Sequence, residues 1–294
     1  MTGPAFVHLA PAENWRGLRY VQRQSLPDRQ ERFEVVLLPG MGSTLRHWSA
    51  VAPLLPTGCR VIAVDAPTLR GDLGRGVDSL EGASQQLLSL FAHLGARRVV
   101  LVGHSLGGPL ALSVAAAAGN SVVHVILVSA ILHSLGEMIL QPQRALCDLS
   151  QATAFVGQLA GAAVPTPRSL RNRMLGTAVG RRLLRYYIHD PGRVDVRLLR
   201  EVMSDSRPLG LTGTIALLRA ARSRPLAGLA HLNDKPVSLM WGENDQLLTR
   251  RDILWANRAF NPVRAVQLTN CGHWPAVEQP RAVAQLIGDT CLQG

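Results

Sequence analysis

The sequence predicts an α/β domain, a mostly parallel, doubly wound sheet interrupted by a long helical insertion. Three observations carry the prediction. Short runs that are apolar throughout recur along the chain, which is how strands covered on both faces read. Helix-length segments lie between them, as parallel pairing requires. The alternation stops after residue 132 and resumes near residue 236, with no comparable strand between.

Taken in order, residues 18–24 read as an early antiparallel strand. Phe33–Leu38 (FEVVLL) is an apolar run ended by Pro39-Gly40 and reads as the first buried strand. Residues 44–55 read as a helix stopped near Pro56. Residues 60–64 (RVIAV) form the second buried strand, ended by Asp65-Ala66-Pro67. A helix over 79–94 has Ser79 in the N-cap position and Gly95 past its end. The strand 98–102 (RVVLV), an Ala-rich helix over 106–118 and the strand Val122–Val128 (VVHVILV) follow. After the gap come the strand 236–241 (PVSLMW), the helix 250–261, the strand Arg264–Leu268 and a final helix over 276–289. The predicted core is therefore 1–132 with 231–294, and the insertion is 133–230.

Composition narrows the class. With 294 residues, 47% apolar and 17% charged, the chain is long enough for a sizeable core and is neither disordered nor fibrous. Its longest apolar run, 122–132, is far short of the roughly 20 residues that span a bilayer. The opening MTGPAFVHLAP lacks a charged start and a long apolar stretch, so no secretory signal is expected and the cytoplasm is the default location. Cys59, Cys147, Cys271 and Cys291 are widely spaced, which fits neither a zinc cluster nor a disulfide framework. The net charge of +11 suggests an anionic partner at face value. Yet Lys235 is the single lysine among 31 basic residues, a skew that points to codon bias. No basic run with interleaved aromatics occurs, and nucleic-acid binding is not expected.

The sharpest chemical feature is Gly103-His104-Ser105-Leu106-Gly107-Gly108, a G-x-S-x-G match between a buried strand and a helix. In such a tight strand-turn-helix the serine takes a strained backbone conformation, costing on the order of 1–3 kcal/mol. The flanking glycines give room for the close approach. The hydroxyl then stands at a helix N-terminus, where developing negative charge is favoured. Two further turns sit at the C-terminal ends of late strands, where ligands of open α/β sheets gather. One is Trp241-Gly242-Glu243-Asn244-Asp245, and the other is Cys271-Gly272-His273-Trp274-Pro275.

On these residues the chain resembles the α/β-hydrolase fold family over nearly its whole length. The order Ser105, Asp245, His273 matches the family's nucleophile, acid and base. The resemblance implies that His273 takes the Ser105 proton and returns it to the leaving group, while Asp245 holds the imidazole tautomer. Glu243 is the fallback acid. The implied oxyanion donors are the backbone N–H groups of Leu106 and, in the turn after the first parallel strand, Met41. Pro39 stands where many members have histidine, a departure that a backbone donor tolerates. His104, Trp48 and Trp274 read as packing or pocket wall, and Cys271 as a small buried hydrophobe.

In this family the insertion after the fourth parallel strand forms a lid, and 133–230 occupies that position. It holds fourteen arginines against six acids. That charge suits an anionic substrate, such as a carboxylate, a CoA thioester or an acyl group on an acidic carrier, but a solvated helical face with codon-biased arginines is the favoured account of it. The leading expectation is a serine hydrolase acting on an ester, thioester or lactone through an acyl-enzyme, with no metal or organic cofactor. A lyase or cyclase on the same three residues is the alternative, as is a carbon–carbon bond hydrolase, to which CGHWPAVEQP is similar. A binding protein on an inactive scaffold is disfavoured by the complete set. Dehalogenase and epoxide hydrolase chemistry would place an aspartate where Ser105 stands. Substrate identity and oligomeric state are open at this point.

Overall fold

A computed structural model describes residues 12–24, 33–40, 42–65, 80–132, 169, 173–175, 177–204, 235–248 and 250–293. Eight strands form one sheet: β1 (Glu13–Trp15), β2 (Leu18–Arg23), β3 (Phe33–Leu38), β4 (Cys59–Asp65), β5 (Val99–His104), β6 (Val122–Val128), β7 (Val237–Gly242) and β8 (Arg264–Leu268). Their spatial order is β1-β2-β4-β3-β5-β6-β7-β8. The β1–β2 hairpin lies antiparallel at one edge, and the six strands from β4 to β8 are mutually parallel. The hairpin turns on Arg16 and Gly17, both at positive φ, as a two-residue connection favours.

Period-two alternation sends successive side chains of each central strand to opposite layers. Val36 and Leu38 of β3 join Ile62, Leu101 and Leu127 beneath helices α1 (Leu80–Leu94) and α2 (Gly107–Ala117). Val35 and Leu37 join Val61, Val100 and Ile126 against Trp48, Val283 and Ile287 on the other face. Every residue of β3, β4 and β5 is buried, so the apolar runs read from sequence are strands with two covered faces.

Two helices differ from expectation, each for a proline. Residues 44–55 form two short 3₁₀ turns, Leu45–Trp48 and Ala52–Leu54, with the Thr44 hydroxyl capping the first. A continuous α-helix would need an N–H from Pro53 and would drive its ring into the Ser49 carbonyl. The final helix is broken into α6 (Pro275–Glu278) and α7 (Pro280–Gln293), because Pro280 keeps Gln279 out of the helical region at φ −135°, ψ 59°. Ser79 and Cys147 lie outside the described residues; Cys59, Cys271 and Cys291 are free thiols.

Within the inserted segment the described helices are α3 (Ala178–Leu184) and α4 (Val196–Ser204). Leu175, Leu184, Ile188, Leu198, Leu199 and Val202 form a separate apolar cluster that packs on Val277 of α6. Arg46 on the first 3₁₀ turn pairs with Glu201 of α4 at 3.6 Å. Helix α5 (Arg250–Phe260) follows β7.

Candidate active site

The turn from β5 into α2 is built by close contacts that admit only glycine. A Cβ on Gly103 would stand 2.4 Å from the Gly107 carbonyl oxygen, and one on Gly107 would stand 2.6 Å from that of Pro39. Ser105 between them has φ +53°, an uncommon conformation for a side-chain-bearing residue. It is pinned there from both sides. Its N–H donates to the Val128 carbonyl at 3.0 Å, and its carbonyl accepts from Gly108 N–H at 3.0 Å. Leu106 heads α2, where the first N–H groups have no partner within the helix.

The turns after β7 and β8 touch backbone to backbone. A Cβ on Gly242 would lie 2.2 Å from the Gly272 carbonyl oxygen, and Asn244 N–H donates to the Cys271 carbonyl at 2.9 Å. This contact brings Asp245 and His273 together beside Ser105. His273 Nε2 is 3.0 Å from Ser105 Oγ. His273 Nδ1 is 2.9 Å from Asp245 Oδ2 and 3.0 Å from Oδ1. A carboxylate only accepts, so Nδ1 carries the proton and Nε2 is left to accept from the serine hydroxyl.

The His273 and Asp245 side chains are each 2% exposed. Burial pushes the Asp245 carboxyl up, but the adjacent His273, its hydrogen bond and two backbone donors together outweigh it. The Leu247 and Leu248 N–H groups, donating to Oδ1 at 2.9 and 3.0 Å, help to hold the carboxyl below the usual range. Glu243 is exposed, and it is Asp245 whose carboxylate meets the imidazole. Met41 lies outside the described residues; on either side of it Ser43 N–H donates to the Gly40 carbonyl at 3.2 Å.

Residues near this set hold more than packing roles. His104 is buried, and its Nε2–H donates to the His273 carbonyl at 2.7 Å. His47 stacks on His104 with ring centroids 4.3 Å apart and is wholly buried. Burial lowers the His104 pKa well below its ordinary value, and burial with the nearby His273 takes that of His47 to about 3. Both rings are therefore neutral at physiological pH. Trp48 is fully buried, and Trp274 is half-buried against Tyr187. Burial also raises the Cys271 thiol pKa, which leaves it protonated and no rival to the Ser105 hydroxyl. The sequence reading also missed Glu278, whose carboxylate accepts from Gly272 N–H at 2.8 Å and His189 N–H at 2.7 Å. Its one sequence signal is an acid five residues beyond His273. Among the described residues no group of side chains is arranged to hold a metal ion.

The family described as Alpha/beta hydrolase family matches residues 35–286. The chain belongs to the alpha/beta hydrolase family. The expected fold and enzyme class are both borne out by that match. A pimeloyl-[acyl-carrier protein] methyl ester esterase of Aromatoleum aromaticum is 28% identical over 275 residues, covering 88% of this chain and 98% of the relative. Monoacylglycerol lipase ABHD6 of Rattus norvegicus is 25% identical over 272 residues, covering 87% of this chain and 74% of that protein. Among solved structures, a putative lipase from Acinetobacter baumannii aligns with a TM-score of 0.69 at 17% identity, covering 96% of this chain and 90% of that one. A meta-cleavage product hydrolase from Pseudomonas fluorescens aligns at 0.66 and 17% identity, covering 97% and 98%. These structures share the alpha/beta hydrolase fold with this chain. No helix among the described residues is long and apolar enough to cross a membrane.

Proposed function

We propose that this alpha/beta hydrolase is a serine hydrolase that cleaves a carboxylic ester, thioester or lactone through an acyl-enzyme on Ser105. One observation carries the reading. The serine hydroxyl, the imidazole and the buried carboxylate form an unbroken hydrogen-bonded relay, with Ser105 raised on a left-handed turn at the head of α2.

The chemistry follows from the geometry. Ser105 Oγ attacks the carbonyl carbon while its proton passes to His273 Nε2. The imidazolium that forms is balanced by Asp245, already ionised and held by two backbone donors. The proposed donors to the tetrahedral oxyanion are the N–H groups of Leu106 and Met41, a donor of this kind being worth about 10²–10³ in kcat. Collapse expels the alcohol or thiol with the proton from Nε2, and water then repeats the sequence to release the acid.

The segment 133–230 is proposed as the lid over this site, with α4 fastened through Arg46–Glu201. Its excess of arginine, and the likeness to an esterase acting on a carrier-protein-linked acyl methyl ester and to monoacylglycerol lipases, support an acyl ester with an anionic or glycerol-bearing portion. The test is intact mass after exposure to a fluorophosphonate, for wild type, Ser105→Ala and His273→Ala. One adduct, lost in both variants, is expected. A folded wild type that takes no adduct would overturn the acyl-enzyme reading and put the lyase or cyclase alternative first.

A further inference from the structure

The loop that carries His273 is bonded directly to the inserted segment. Tyr187 carbonyl accepts both His273 N–H at 2.7 Å and Trp274 N–H at 3.1 Å. Glu278, on α6 just beyond, closes the other side: Oε1 takes Gly272 N–H and Oε2 takes His189 N–H. The Tyr187 ring lies against Trp274, centroids 5.1 Å apart. Gly272 is where the two backbones meet, since a Cβ there would stand 2.8 Å from Tyr187 O, 2.9 Å from His189 N and 3.1 Å from Glu278 Oε1. Four backbone N–H groups thus converge on one carbonyl and one carboxylate, with the imidazole one residue from the junction.

We infer that Glu278 is a positioning residue, closing a latch through which residues 187–189 of the inserted segment set the place of the His273 imidazole. The inference rests on reading His273 as the general base. A carboxylate suits the position because it offers an acceptor to each of two N–H groups that point from different segments toward one spot. Glutamine offers one oxygen and turns an NH₂ toward the other donor, so one side of the latch must open. The Glu278 carboxylate bonds to the backbone N–H groups of Gly272 and His189, so its effect reaches the reaction through the His273 loop. The neighbouring titratable groups are the Cys271 thiol, 3.9 Å from Oε1, and Asp245.

The test is the second-order rate of fluorophosphonate capture by Ser105, with kcat and KM on a short-chain ester, at a temperature well below unfolding. For Glu278→Gln the capture rate and kcat should fall together by about 10- to 100-fold with KM little changed, as a misplacement near 1 Å of a reacting group produces. Gly272→Ala, which forces the same junction apart from the other strand, should give a loss of similar size, and the double variant should be no worse than the poorer single one. A Glu278→Gln enzyme that is folded and captures the probe within twofold of wild type overturns the latch alone. So does a strictly multiplicative double variant. If Glu278→Gln does not fold, the Gly272→Ala rate decides by the same twofold limit. Capture that persists in His273→Ala, or is absent in wild type, overturns the underlying reading of the base, and the positioning role falls with it.

Discussion

Replacing Asp245 with asparagine tests the relay at the point where one proton decides the outcome. Oδ1 of Asp245 accepts from two backbone donors, Leu247 N–H and Leu248 N–H, while Oδ2 stands 2.9 Å from His273 Nδ1. An asparagine oxygen must stay with the two backbone donors, because an NH₂ group there would face them donor to donor. The NH₂ then takes the place of Oδ2, the nearer oxygen to Nδ1 at 2.9 Å against 3.0 Å for Oδ1, and a donor there favours the tautomer with the ring proton on Nε2. Nε2 lies 3.0 Å from Ser105 Oγ and, once protonated, no longer accepts the serine proton. Loss of the productive tautomer in a Ser-His-Asp site lowers kcat by about 10⁴. At 1.36 kcal/mol per decade this is about 5.4 kcal/mol of transition-state stabilisation. The KM should change little, since Asp245 sits behind the imidazole. The assay is steady-state hydrolysis of a p-nitrophenyl ester, with circular dichroism to confirm the fold. A fall of less than tenfold in a folded Asp245→Asn protein would refute the assignment of Nδ1–H to this carboxylate.

Three further outcomes follow from the same geometry. Ser105→Gly should be more stable than Ser105→Ala by about 1 kcal/mol, because alanine keeps the cost of φ +53° and glycine does not; a calorimetric Tm for glycine below that for alanine would refute strain at the turn. Gly103→Ala, whose Cβ would meet the Gly107 carbonyl at 2.4 Å, should cost of order 3 kcal/mol and abolish probe capture, read by urea unfolding and intact mass. His47, taken to about 3 by burial and the nearby His273, is neutral in the fold but titrates near 6.5 when unfolded. The unfolded chain therefore binds the extra proton between these values, and stability falls as pH drops from about 6.5 toward 3, by up to about 1.4 kcal/mol per unit. His47→Leu should make that slope shallower in urea midpoints measured between pH 7 and 4.5, and an unchanged slope would refute the account.

What the sequence made legible was local. Phe33–Leu38, Val122–Val128 and Arg264–Leu268 have the bounds expected of them: the first two are mostly apolar or β-branched runs, and the third is a short alternation of polar and apolar residues. The 3₁₀ turns at 45–54 and the break before Pro280 were hidden because a window that counts apolar period gives too little weight to one missing N–H. The approach of the β7 and β8 turns depends on Gly242, whose hydrogen atom leaves room for the Gly272 carbonyl, and no local pattern announces a contact across thirty residues. Glu278 and Tyr187 were invisible for a deeper reason. Tyr187 acts through its carbonyl, a group every residue carries, and Glu278 acts on two N–H groups, one of them 89 positions away.

The histidines beneath the site extend that argument. His104 donates to the His273 carbonyl and stacks on His47, so three imidazoles lie in sequence under the hydroxyl. A charge on either of the lower two would oppose the charge that His273 must take up when it receives the serine proton. Burial keeps both neutral, and the hydrogen bond to the His273 carbonyl requires His104 to carry its proton on Nε2. Among the described residues Asp245 is then the carboxylate bonded to His273, which places the developing charge between it and the substrate. The neutral pair beneath provides support without competing for the proton, a division of roles that depends on the same burial that makes the stack sensitive to acid.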